Sequence, residues 1–215
     1  MKTKPINFYN PLEEKINIIT HAIGIGLSIV ALVLLVVFAS LYGNVWHIVS
    51  FSIYGASLVS LYIASTVYHS IQNPKWRYRF NIVDHSAIYI LIAGTYTPFT
   101  LVTLNGTVGW VIFGITWGIA AIGIIFKIFF TGRFDIISTI AYVAMGWIVI
   151  FAINPLIENL SVNGLFWLFL GGIFYTIGAV IYAIRKIKFN HAIFHVFVLL
   201  GSTSHFFAVF FHVLP

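Results

Sequence analysis

In the stretch "RKIKFNHAIFH", His191 and His195 stand four residues apart. On a helix, that spacing projects both imidazoles from one face, one turn above the other. It is the spacing by which one helix offers two nitrogens to one metal ion. His69 closes the stretch "STVYH", with Ser65 one helical turn before it, and Asp84 stands in "FNIVDH". A third imidazole from His69 would complete a three-histidine set. Three protein ligands with one open position is the pattern of catalytic zinc, and imidazole donors favour zinc over magnesium or calcium. Asp84 could then hold a metal-bound water, orient a ligand or serve as general base. The Ser65 hydroxyl could steady a ligand or donate to an oxyanion.

These residues need elements to position them, and composition says what those elements are. Of 215 residues, 60% are apolar and only 7% charged, against about a quarter charged in a soluble domain. Such a chain cannot clothe a soluble surface, so a bilayer is its natural solvent. There is no cysteine, which excludes disulfides, thiolate metal sites and a cysteine nucleophile. Seven long apolar runs follow one another, at about 16–41, 45–71, 81–101, 107–129, 136–153, 164–184 and 191–213. Each is near the ~20 residues that cross the hydrocarbon as a helix, and a helix is forced because hydrocarbon offers free backbone groups no partner. The first run is too long for a signal peptide and lacks a small-residue cleavage site. The predicted fold is an all-α integral membrane protein, a single seven-helix transmembrane bundle with short polar connections.

The basic residues orient it. Lys2, Lys4 and Lys15 lie at the N-terminus, Lys75, Arg77 and Arg79 after the second run, Lys127 and Arg133 after the fourth, and Arg185, Lys186 and Lys188 after the sixth. With seven spans, all 11 Lys and Arg share one side. The positive-inside rule then places the N-terminus in the cytoplasm and the C-terminus outside. The net charge of +6 is therefore a topology signal and does not imply a nucleic-acid partner. This topology is opposite to that of G-protein-coupled receptors. The last span also has no lysine to carry a retinal Schiff base.

On this reading His69, Asp84, His191 and His195 come from three helices at nearly one depth, near the inner boundary. They can meet if the second, third and seventh helices are neighbours. Intramembrane ionisable residues are functional candidates by default, but single histidines near helix ends are commonly interfacial or packing residues, which covers His47 and His212. His205 follows His195 by ten residues and so sits about 15 Å deeper, too far to share the metal. Adjacent helical residues point about 100° apart, so only one of Asp84 and His85 is expected to face the cluster. Asp84 with Arg77 or Arg79 has a plainer reading as an interfacial ion pair. Glu14, Asn17, His21 and Gly24 line one face of the first helix, either as a packing stripe or as part of the site. Gly114 to Gly118 ("GITWG") and Gly171-Gly172 fit close helix packing, and Pro98 is expected to kink the third helix.

Taken together, "NIITHAIG", "STVYH", "FNIVDH", "AGTYTPF" and "HAIFH" resemble the hemolysin III family, the bacterial branch of the progestin and adiponectin receptor superfamily. The resemblance covers nearly the whole chain, in the family's order. It implies a seven-helix bundle with a cytoplasmic N-terminus. By similarity to the adiponectin receptors it implies zinc held by His69, His191 and His195, with Asp84 acting through a bound water and Ser65 matching the family serine. The superfamily also includes alkaline ceramidases, which suggests metal-dependent hydrolysis of a lipid amide. Bacterial members have been called hemolysins and linked to membrane-lipid homeostasis. The long N-terminal extension of the receptors is missing here, and partner recognition of that kind is not expected.

The expected function is thus a zinc-binding protein of the cell membrane that hydrolyses a lipid amide or takes part in membrane-lipid homeostasis, with membrane lipid as substrate or ligand and its metal site near the cytoplasmic face. The alternatives are a lipid- or fluidity-sensing protein with structural zinc and, least in keeping with a chain that has no soluble form, a pore-forming cytolysin. Heme ligation suits histidines on facing helices better than an i, i+4 pair.

Overall fold

The apolar runs are helices in the computed structural model, which describes residues 8–215. Lys2 and Lys4 lie outside the described residues. Seven helices are long and apolar enough to cross a membrane: α1 (Pro11–Tyr42), α2 (Val45–Ser70), α3 (Pro74–Leu104), α4 (Gly106–Phe130), α5 (Asp135–Asn159), α6 (Val162–Ala183) and α7 (Asn190–His212). Their starts follow local chemistry. Asn10 caps α1 by accepting from the Leu12 amide, with Pro11 in the first turn. Asn44 and His47 form a reciprocal capping box on α2, and Asn73 caps α3 ahead of Pro74. Asparagine at the cap and proline just inside it suit helix starts because the first amides lack intrahelical acceptors. For that reason α3 begins at Pro74 and not near residue 81: the charged stretch "PKWRYR" is its first turns.

Two helices are irregular within the bilayer. In α3 the α-helix ends at Pro98 and continues as a π-helical turn, Phe99–Leu104. A proline ring cannot donate to the ladder and crowds the preceding turn, so the expected kink takes the form of a widened turn. In α5 the α-helix stops at Gly146, passes through a 3-10 turn, Ile148–Ala152, and resumes at Ile153. The Tyr96 hydroxyl enters this break, donating to the Gly146 carbonyl at 2.7 Å and accepting from the Val149 amide at 2.9 Å. Backbone freed in hydrocarbon is thereby partnered, as the solvent demands.

The helices close into a ring. Each of α1, α2 and α3 packs on the next, α3 contacts α4 and α5, α5 meets α6, α6 packs along α7, and α7 returns to α1. The start of α1, the end of α2, the starts of α3 and α5, the end of α4, the end of α6 and the start of α7 share one end of the bundle. The second and seventh helices meet mainly through side chains, His69 with His191 and the Tyr62 hydroxyl with Ser202, while α1 packs on both. Residues such as Ile19, Ile23, Leu27 and Val30 on α1 are exposed and suit a lipid-facing surface. Gly171 fits close packing, because a Cβ there would stand 2.2 Å from the His205 ring. At Gly114 and Gly118 a Cβ would meet nothing within 4 Å, so that pair carries no helix contact.

Candidate metal centre

Phe189, in the left-handed region at φ 58°, turns the chain into α7. The Asn190 side chain then donates to the Tyr182 carbonyl at 2.8 Å. A left-handed non-glycine residue costs about 1–2 kcal/mol, and such strain persists only where surrounding structure over-determines it. The turn delivers His191 and His195 to the inside of the ring, both buried. His69, on the last turn of α2, is fully buried opposite them. One nitrogen from each of the three rings lies within 4.8 Å of the others, and the Nε2 atoms of His69 and His191 are 3.1 Å apart.

The partners of these rings decide what the nitrogens can do. His69 Nδ1 lies 2.7 Å from Glu14 Oε2. An ionised carboxylate only accepts, so it accepts the Nδ1 proton of His69 in a hydrogen bond and turns Nε2 toward His191. The other Glu14 oxygen, Oε1, accepts from both the Tyr9 amide, at 3.0 Å, and Arg77 Nη2. His191 Nδ1 pairs with the Tyr9 hydroxyl at 2.9 Å, which leaves its Nε2 facing that of His69. Burial raises the Tyr9 phenol above its ordinary value, so it meets His191 as a neutral hydroxyl. His195 Nδ1 is buried without a partner among the described residues. Converging imidazole nitrogens whose outer nitrogens are already engaged, together with a buried unpartnered one, form a donor set that suits a divalent cation. Three buried imidazoles of this kind can together hold a metal ion.

Asp84 is buried on α3, and it lines one cavity with Ser65 of α2. Asp84 is not one of the three groups that converge within 4.8 Å. Its carboxylate lies 3.6 Å from His85 Nδ1, and Asp84 and His85 both line the central cavity. His85 Nδ1 also faces the Asn81 carbonyl at 2.9 Å. The plainer ion-pair reading fails. Arg77 pairs with Glu14 and Arg79 lies over the Trp76 ring.

The α1 stripe belongs to the site. Glu14 and Asn17 lie against His69, with Asn17 Nδ2 3.4 Å from His69 Nδ1. His21 stacks on His195 at 3.5 Å between centroids and 10° between planes, and meets Tyr62 edge-on. Gly24 is required there, because a Cβ would stand 2.4 Å from the Tyr62 ring. His205 points elsewhere, with Nε2 3.0 Å from the Leu168 carbonyl. His47 faces the Val213 carbonyl and His212 pairs with Ser161, both structural roles. Sequence spacing exposed the α1 stripe without deciding its role, and it missed Tyr9, which precedes the first helix and carries no motif.

A cavity of about 160 Å³ runs from this cluster into the bundle. His21, Ser65, Asp84, His191 and His195 line its polar end, and Phe99, Leu104, Ile112, Leu156 and Leu168 are among the residues that line its deeper part.

Residues 9–206 match the model of the family described as Haemolysin-III related. The chain is 53% identical over 203 residues to Hemolysin-3 of Bacillus cereus, covering 94% of this chain and 93% of that protein. It is also 53% identical over 200 residues to the Hemolysin-3 homolog of Bacillus subtilis (strain 168), covering 93% and 94%. A human protein, the monocyte to macrophage differentiation factor, is 30% identical over 206 residues, covering 92% and 83%. With seven spanning helices, a buried three-histidine cluster and a family match along nearly its whole length, this chain is a membrane protein of the haemolysin-III related family.

Proposed function

We propose that this protein is a zinc-dependent hydrolase of a lipid amide, set in the cell membrane with its N-terminus and its metal centre toward the cytoplasm. The observation that carries this reading is the convergence of His69, His191 and His195, the latter two lining a largely apolar cavity beside Asp84 and Ser65. Zinc held by the three histidines would supply Lewis-acid polarisation of a carbonyl and a water acidified toward a pKa of about 7. Asp84 accepts the proton of the attacking water and returns it to the departing amine nitrogen. The water oxygen bonds to the carbonyl carbon as the carbon–nitrogen bond breaks. Ser65 donates to the carbonyl oxygen as charge develops there. The apolar wall holds an acyl chain and excludes bulk water. The broken helix α5, which packs more sparsely on α3 and α6 than α7 does on α6, suits lateral entry of a lipid. Placement of every basic residue on the N-terminal side supports the orientation.

The test is metal analysis and amide-lipid hydrolysis with purified protein. His191→Ala and His195→Ala are expected to lose both zinc and turnover, and variants that keep full zinc would overturn the assignment. A second reading, a lipid-responsive protein with structural zinc, draws on the burial of all three histidines, the most exposed only 5% accessible. Stoichiometric zinc with no hydrolysis across ceramide-like substrates would favour it. Leakage from liposomes at physiological protein density would favour a cytolytic role of the kind that the relatives' name suggests for them.

A further inference from the structure

All three candidate ligands are gripped by one element that supplies no ligand itself. The segment at 8–10 and the first turns of α1 place Glu14 on His69 Nδ1, the Tyr9 hydroxyl on His191 Nδ1 and the His21 ring flat against His195. Glu14 and His21 are seven residues apart, two turns along one face. Tyr9 reaches back over them, its ring 4.5 Å from that of His191 and 5.9 Å from that of His69. Phe8 lies 4.4 Å from the Arg77 guanidinium, which braces Glu14.

We infer that Tyr9, Glu14 and His21 are positioning residues that pre-set the three imidazoles for metal, so that the start of the chain controls the centre's affinity. The inference rests on the proposed metal reading. The hydrogen bonds fix which nitrogen of His69 and His191 faces inward, and ring orientation follows. Without Glu14, either His69 nitrogen could carry the proton and the ring could turn. Without Tyr9, His191 would lose its outer partner. Partners of this kind are typically worth 10–100-fold in metal affinity.

The test uses the full-length protein in detergent micelles and measures zinc affinity by competition with a chromophoric chelator. Glu14→Ala is expected to weaken binding about 10–100-fold. Glu14→Gln, which keeps an acceptor oxygen, should fall between Glu14→Ala and the unchanged protein. Tyr9→Phe removes one hydroxyl before the helix begins and should weaken binding about tenfold, at the low end of that range. His21→Phe keeps a stacking ring and should bind nearly as well as the unchanged protein, whereas His21→Ala should not. Nitrogen-15 NMR of the metal-free protein adds a readout that general destabilisation would not give: His69 holds its proton on Nδ1 in the unchanged protein and exchanges between nitrogens in Glu14→Ala. Unaltered zinc affinity in Glu14→Gln, Glu14→Ala and Tyr9→Phe would overturn the inference while leaving the metal centre standing. Absence of zinc from the unchanged protein would instead remove the centre itself, and the inference with it. Should Glu14→Ala not fold, Glu14→Gln and Tyr9→Phe decide.

Discussion

Replacing Arg77 with leucine removes a fully buried guanidinium from between two helices. Its Nη1 donates to the carbonyls of Tyr68, His69 and Ile71 at 3.3, 3.4 and 3.1 Å, and Nη2 donates to Glu14. It also lies over the Phe8 and Tyr68 rings at 4.4 and 4.6 Å. The three carbonyls are at the end of α2, where acceptors lack intrahelical donors and a cation opposes the negative end of the helix dipole. Arg77→Leu would leave those carbonyls under-partnered and leave Glu14 a buried carboxylate without its cation. Breaking a buried pair from one side costs about 3–5 kcal/mol. At about 2–4 °C per kcal/mol for a chain of this size, the melting temperature should fall by roughly 6–20 °C. Thermal unfolding of metal-free protein in nanodiscs, at one scan rate, measures this without a contribution from zinc. Because most of the cost is the stranded carboxylate, the double variant Glu14→Leu/Arg77→Leu should recover at least half of the drop, since apolar replacement of a whole buried pair is commonly near neutral. A fall of less than about 2 °C in Arg77→Leu would refute the reasoning. So would a double variant that is as unstable as the sum of the singles, because contacting residues that share a charge pair should be non-additive.

Asp84→Asn should keep zinc stoichiometry, measured by metal analysis, while amide hydrolysis falls by about 10²–10⁴, the usual worth of a positioned acid–base group. Ala179→Phe, which puts a ring into the cavity from α6, should abolish turnover of long-chain substrates in the same assay with zinc intact. Gly171→Ala should destabilise by about 1–3 kcal/mol through overpacking, because its Cβ would meet the His205 ring at 2.2 Å. Gly118→Ala, with nothing near it, should stay within about 0.5 kcal/mol of the unchanged protein, and paired unfolding measurements compare the two.

The parts of the site that could be read in the sequence are those that helix periodicity encodes. Spacing of i, i+4 paired His191 with His195, span counting matched their depth to His69 and Asp84, and spacings of 3 and 4 gathered Glu14, Asn17 and His21 on one face. What remained hidden depends on which helices close the ring. That α1 lies against both α2 and α7 is set by packing over the whole bundle, and only this turns the stripe from a helix face into the outer grip on three imidazoles. The start of α3 could have been read: asparagine then proline is a helix-start signal, but the charges that follow resemble a loop. Arg77 reads as a topology charge by the same logic, although its side chain is fully buried and ties the α2–α3 turn to Glu14. Pro98 announces the kink in α3, but the break in α5 depends on Tyr96 reaching across to partner the freed backbone, a long-range contact that no local pattern announces.

The arrangement also explains why so polar a cluster can sit in so apolar a chain. A buried ion costs several kcal/mol unless it is paired and hydrogen-bonded, and here the charges sit together at one end of the bundle, where Arg77 neutralises Glu14 and Glu14 orients His69. Inward of that layer polar side chains pair locally: the Tyr62 and Tyr175 hydroxyls both meet Ser202 at 2.8 Å, and His205 meets a carbonyl. The ion pair of Glu14 and Arg77 thus lies at one end, and hydroxyl and imidazole groups lie deeper in the bundle. A lipid amide matches this arrangement, with its amide at the histidine cluster and its chain along the apolar wall. A fully water-soluble amide would match only the outer layer. Hydrolysis should accordingly rise with acyl-chain length until the cavity is filled and then level off, whereas rates independent of chain length would separate the chemistry from the cavity and count against the lipid assignment.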